Sequence, residues 1–295
     1  TTFMLASVIW FYIFMQKKNK DQDARKPLII SALFAGLAVL TKTSTLILLP
    51  FTGLALFINF FIQNNGQFVE KFTKSLGKSL KLYGIWLGVV VLLFVALWPA
   101  MWVIPLKTLK MLFSGVYSTG IDTGHLQLYL GRWVNNPGPL FYPVVLAIKG
   151  SLYVVVGLVV LPFVFKYLNK KEKPFVIYIL IFALVYLIEM TIPSKKLTRY
   201  ILPTIASFAL ISGILVSKLS DFIAKEFKKV KHFWITLLII TPAIITAIWL
   251  HPNYLSYYSP LTGGLEKGIW QLEPKWGFGQ NKIAAYFENV MEEAN

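Results

Sequence analysis

The sequence predicts an all-α, polytopic transmembrane helical bundle that crosses the bilayer about eight times. Two observations predict this. Apolar residues make up 56% of the chain and charged residues only 14%, with a mean hydropathy of +0.64, whereas soluble domains sit nearer one quarter charged. The apolar residues are also gathered into separate runs, most of them near the length of about 20 residues that a spanning helix needs.

In chain order the runs fall at roughly 1–15, 28–41, 44–62, 82–104, 143–165, 175–192, 200–217 and 232–250. The second is short, and Thr41-Lys42-Thr43 parts it from the third. This suits a tilted span, one partly buried in protein, or half of a broken hairpin. Residues 68–81 place Phe68, Phe72, Leu76 and Leu80 at helical spacing among lysines, the pattern of an amphipathic interfacial helix. The organisation expected is a transmembrane domain over 1–250, including a long outer loop at 105–142, followed by an extracytoplasmic tail over 251–295. The opening Thr-Thr-Phe-Met lies inside an apolar run, without an initiator methionine or signal-peptide n-region. The chain is therefore expected to be the C-terminal part of a longer protein.

Charge orients the chain. The connections 16–27, 63–81, 166–174 and 218–231 hold eighteen of the 29 basic residues, and all four fall on one side if the runs span alternately. The positive-inside rule puts that side in the cytoplasm. A net charge of +16 is thus read as topology rather than as a nucleic-acid footprint, and no nucleic-acid partner is expected. With no cysteine in the chain, thiolate metal sites, thiol nucleophiles and disulfides are excluded. No internal repeat is evident, which counts against an inverted-repeat transporter.

The outer side carries the long segments, the aromatic clusters and the Gly/Pro turns, as loops bearing function on a scaffold do. Within it, Pro193-Ser194-Lys195-Lys196-Leu197-Thr198-Arg199-Tyr200 packs three cations into one tight turn. Ammonium and guanidinium groups at that depth suit a lipid phosphate, ahead of simple snorkelling anchors. Lys42, on the same side, is a candidate to join them, although a solvated turn lysine accounts for its spacing equally well. In the long loop, Asp122, His125 and Arg132 lie among Tyr117, Tyr129, Trp133 and Tyr142. Those aromatics suit an interfacial belt before sugar stacking. His125 alone makes no metal site, and no metal ligand set is expected. Glu189, in an apolar run near the cationic turn, is read as the partner of a cation ahead of a general base.

Several segments together resemble the GT-C class of membrane glycosyltransferases, in particular the bacterial branch of the dolichyl-phosphate-mannose protein mannosyltransferase family. They are Gly36-Leu37-Ala38-Val39-Leu40-Thr41-Lys42, Leu97-Trp98-Pro99-Ala100-Met101-Trp102, Leu130-Gly131-Arg132 with Pro137-Gly138-Pro139-Leu140-Phe141-Tyr142-Pro143, and Lys195-Lys196 with Arg199-Tyr200. The tail adds His251-Pro252-Asn253-Tyr254-Leu255-Ser256-Tyr257-Tyr258-Ser259-Pro260-Leu261, Gly263-Gly264 and Trp276-Gly277-Phe278-Gly279.

The resemblance implies transfer of a sugar from a polyprenyl-phosphate donor to an acceptor glycan, lipid or protein, on the extracytoplasmic face of a bacterial plasma membrane. It implies that Lys195, Lys196 and Arg199, with Lys42, hold the lipid phosphate. Tyr200, His125, Arg132, His251, Tyr254, Tyr257 and Tyr258 would shape the substrate cavity. The family's acidic catalytic residue lies in a first outer loop that would be upstream of Thr1, so neither Asp122 nor Glu189 is appointed as the base. Phe278 stands where the family pattern carries an acid. A lipid-linked saccharide transporter or flippase is the alternative, since it also needs cations for a phosphate, and a non-catalytic membrane scaffold is the third reading.

Overall fold

A computed structural model describes residues 1–118, 124–226, 231–273 and 280–293. Helices dominate it: α1 Thr2–Lys18, α2 Arg25–Thr41, α3 Leu48–Gln63, α4 Phe68–Leu97, α5 Ala100–Val103, α6 Pro105–Val116, α7 Phe141–Lys149, α8 Leu152–Val164, α9 Glu172–Thr191, α10 Leu202–Glu226, α11 His232–Trp249, α12 Gly264–Gly268 and α13 Gln280–Glu293. The one sheet among the described residues is a small hairpin, β1 Gln127–Tyr129 against β2 Arg132–Val134. Its turn is made by Leu130 and Gly131, both at positive φ.

Among the described residues five helical segments are long and apolar enough to cross a membrane: Thr43–Gln63, Phe68–Leu97, Glu172–Thr191, Thr198–Glu226 and His232–Trp249. A bent pair, Phe141–Lys149 with Leu152–Tyr167, makes six if it counts as one span. The first two apolar runs form α1 and α2, each of 17 residues. At 1.5 Å per residue each reaches only about 26 Å, short of a hydrocarbon core of about 30 Å.

Both ends of α4 differ from the sequence pattern, and α10 continues to Glu226, past the expected end at 217. Residues 68–81 do not form a separate interfacial helix but are the first part of the 30-residue α4, because no proline or turn sequence interrupts the chain at 81–82. Phe68, Phe72, Leu76 and Leu80 stay largely exposed, the rings of Phe68 and Phe72 meeting Phe61 and Phe57 of α3 edge-on, while Ser75 and Ser79 are buried and back-bond to Lys71 O and Ser75 O. At its other end, the run expected to reach 104 stops at Leu97. Pro99 holds Trp98 extended (φ −114°, ψ 95°), as the residue before a proline must be.

The chain divides into two compact units. The first comprises Thr1–Thr123 with Asn169–Phe208, and the second Gly124–Leu168 with Ala209–Asn295. In the first unit α2 packs between α1 and α4, presenting Ser31, Ala32, Ala35, Gly36 and Ala38 to them. These small residues let the backbones approach closely, the usual device of membrane helix pairs. Trp86 of α4 is fully buried and donates from Nε1 to Ser31 Oγ at 3.1 Å. Ser31 Oγ in turn donates to Ser7 O on α1 at 2.9 Å. Asn19 and Asn59 exchange side-chain amide hydrogen bonds of 3.0 Å. This brings the basic connection after α1 to the same end of the unit as the C-terminus of α3. At the start of α9, Asn169 Oδ1 accepts from the N–H groups of Lys171 and Glu172, and Glu172 Oε2 accepts from Asn169 N, a reciprocal cap.

In the second unit the fifth apolar run is broken, with α7 and α8 meeting at 115°. Gly150 makes this possible: a Cβ there would lie 2.1 Å from Leu146 O. Ser151 then caps α8, its side chain accepting from Val154 N at 3.3 Å. The carbonyl of Ile148, freed at the bend, accepts from Ser259 N at 2.7 Å, and Lys149 Nζ donates to Leu255 O at 3.1 Å. Gly150→Ala is expected to lower stability by about 1–3 kcal/mol, because a backbone carbonyl must give way. Denaturant titration of the purified variant checks it.

Candidate functional site

Two of the sequence-predicted cations meet in the first unit. Lys42 leaves the end of α2 in an extended conformation (φ −162°, ψ 131°), and its Nζ lies 4.4 Å from the centroid of the Tyr200 ring. Arg199, beside Tyr200 in the short 3₁₀ turn Thr198–Ile201, has its Cζ 6.0 Å from the same centroid. One aromatic face thus neighbours two cations from chain segments far apart in sequence, and each contact is of cation–π type. Desolvation lowers the Lys42 proton affinity below the usual lysine range. Arg199 lowers it further and Glu189 partly restores it. Two cations this close disfavour each other's charge, and a bound anion relieves both.

Beneath them, on α9, lie Tyr186 and Glu189. Tyr186 is fully buried, its hydroxyl 3.2 Å from Ser44 Oγ. Glu189 Oε2 is buried with no hydrogen-bond partner among the described residues. Among the described residues Glu189 makes no ion pair within 4 Å, and its influence on Lys42 is electrostatic at longer range. Sequence reasoning missed Tyr186 and Ser44. The available signal was the i, i+3 spacing of Tyr186 and Glu189, which puts both on one face of α9.

Lys42 also edges an apolar cleft of about 430 Å³, lined by Leu40, Leu46, Phe94, Leu97, Trp98 and Leu112 among others. A cation at the lip of an apolar cleft is the arrangement that an amphiphile with an anionic head requires.

The other residues of the cationic turn differ in placement. Lys196 is 3% exposed, with Nζ donating to Pro193 O at 2.6 Å, so it points into the fold and closes its own turn. Its proton affinity is lowered by that burial. Lys195 is half-buried and Arg199 exposed. Asp122 lies outside the described residues, as does the segment Trp276-Gly277-Phe278-Gly279.

The remaining candidates belong to the second unit. His125 is exposed, its backbone N–H donating to Asn135 O at 3.0 Å, and Arg132 is exposed on β2 opposite Tyr129. In the tail, His251 Nδ1 lies 2.8 Å from the Tyr254 hydroxyl, and both residues are exposed. Tyr257 is half-buried and Tyr258 only 4% exposed. The Tyr258 hydroxyl donates to Leu272 O at 2.6 Å and its ring lies under Lys149 Nζ. Burial, and then Glu273, push that hydroxyl up to about 12, so it remains a neutral donor. Tyr258 is therefore an anchor of the tail against α7.

No protein family, curated protein or solved structure matches the chain. What the site can do follows from its own chemistry. Lys42 and Arg199 share an aromatic neighbour and Glu189 lies close by. The two cations together favour an anion, and Lys42 is the one that also lines the apolar cleft.

Proposed function

We propose that this chain is part of a polyprenyl-phosphate-dependent glycosyltransferase of the GT-C class. It moves a sugar from a lipid monophosphate to an acceptor glycan, lipid or protein on the extracytoplasmic face of a bacterial plasma membrane. The reading includes eight crossings, with the basic connections in the cytoplasm. The observation that supports it most is the convergence on Tyr200 of Arg199 and of Lys42, which also lines the apolar cleft.

In the reaction, a general base takes the proton of the acceptor hydroxyl and the oxygen attacks the anomeric carbon of the sugar. The bond from that carbon to the phosphate oxygen breaks, and its electron pair leaves on the phosphate. Cations facing that oxygen lower the barrier because charge develops there in the transition state. Lys42 and Arg199 fill this role, and Glu189 favours the charged form of Lys42. A flippase would hold the same phosphate and leave the sugar–phosphate bond intact.

The test is retention of polyprenyl monophosphate by the purified protein in nanodiscs, followed by transfer from polyprenyl-phosphate mannose. Lys42→Gln is expected to weaken retention by about 10–100-fold, the worth of one charge-assisted hydrogen bond. Equal retention by wild type and variant removes Lys42 from the phosphate site. Retention and translocation without sugar release turn the reading to a flippase.

A further inference from the structure

The second unit holds a larger groove, of about 770 Å³, between α8, α10 and α11. We infer that it is a binding site for an anionic membrane phospholipid, with the phosphate held by Lys218 and Lys225 and an acyl chain lying along the apolar wall. The inference rests on the chain lying in a membrane and is independent of the transferase reading.

The walls are Val156, Val160 and Val164 from α8 with Leu215, Leu219 and Phe222 from α10. A wall of this kind offers an acyl chain contact and nothing to hydrogen-bond. Gly157 makes the floor: a Cβ there would meet Ser212 Oγ at 2.3 Å, so the absent side chain lets α8 and α10 touch. Beyond the floor the Tyr153 hydroxyl donates to Ile239 O at 2.5 Å, tying α8 to α11 and closing that end.

The polar lining lies mostly at the opposite end. Lys218 and Lys225 are seven residues apart on α10 and both line the groove, two helical turns that keep them on one face. Asp221 lies between them, but its carboxylate is 3.2 Å from His232 Nε2 at the start of α11. Two lysines against one aspartate leave the groove lining with net positive charge, and Tyr167 lines it as well. From Ser212 to Lys225 the helix rises about 20 Å, which matches one leaflet of about 15 Å of hydrocarbon plus a headgroup. An apolar trough one leaflet deep, with Lys225 at its mouth and Lys218 about 10 Å further in, complements a phospholipid whose headgroup carries net negative charge.

The experiment compares spin-labelled phosphatidylglycerol with phosphatidylcholine of the same chains, bound to the purified protein in neutral detergent. Wild type is expected to prefer phosphatidylglycerol by about 30-fold, the contribution of two lysines near an anionic headgroup. Lys218→Gln with Lys225→Gln should abolish the preference and leave the phosphatidylcholine signal unchanged. Val156→Trp with Val160→Trp, which keeps both lysines, should weaken the two lipids alike. The proposal is overturned if wild type shows no preference, if the preference survives the lysine changes, or if inorganic phosphate displaces the lipid. No sugar donor enters this assay, so its failure and that of the transferase reading are separate outcomes.

Discussion

Arg199→Ala is expected to lower sugar transfer by about 10²–10³-fold with membrane insertion and helix content unchanged. This is the usual loss when one donor to a developing oxyanion is removed. Arg199 is exposed at the surface of its turn and shares the Tyr200 ring with Lys42, so its removal leaves no hole in the core. The loss should fall on kcat/KM, and thermal unfolding should move little. Lys196→Ala is the informative contrast. Lys196 is buried and bonded to Pro193 O, so removing it loosens the turn that carries Arg199. Transfer should then fall together with stability. If purified Arg199→Ala transfers sugar at the wild-type rate, the phosphate assignment is wrong.

Trp86→Ala is expected to cost about 3–5 kcal/mol of stability, the range for truncating a buried tryptophan. Trp86 is fully buried, stands 5.9 Å from the Tyr83 ring and 6.4 Å from that of Phe11, and donates to Ser31. Ser31 bonds Ser7 in turn, so one side chain ties α4 to α2 and, through it, to α1. Its loss leaves a cavity and removes the donor to the Ser31 hydroxyl at once. Unfolding in mixed micelles measures the effect, with Trp249→Ala, at a residue 80% exposed, as a control expected to be near neutral. Equal midpoints for the two variants would refute the packing argument.

Much of this architecture is legible in the sequence because membrane helices announce themselves by length and composition. The break at Lys42 was readable for the same reason, whereas the lysines of 63–81 fall inside α4 and Lys218 and Lys225 inside α10. Hydropathy says how long a run is but not whether the helix within it is straight, so the bend at Gly150 and the continuity of α4 through residue 81 escaped it. Both depend on backbone sterics that a run of apolar letters does not carry. At the site, residue type pointed to Lys42 and Arg199. It could not distinguish Arg199, which faces out, from Lys196, which faces in. The direction of a turn side chain is decided by what packs around it, and only the fold supplies that. The neighbours Tyr186 and Ser44, 142 residues apart in sequence, are a tertiary fact for the same reason.

The bend between α7 and α8 also bears on how the chain is made. The carbonyl of Ile148 has no partner in its own helix and takes one from Ser259, while Lys149 reaches Leu255. At 5–20 residues per second, the ribosome delivers that partner roughly 5–20 s after α7, about 110 residues later. Until then an unsatisfied carbonyl sits at the end of an apolar helix, where no neighbour from its own stretch of chain can serve it. Until the tail arrives, the bend between α7 and α8 lacks both of these partners.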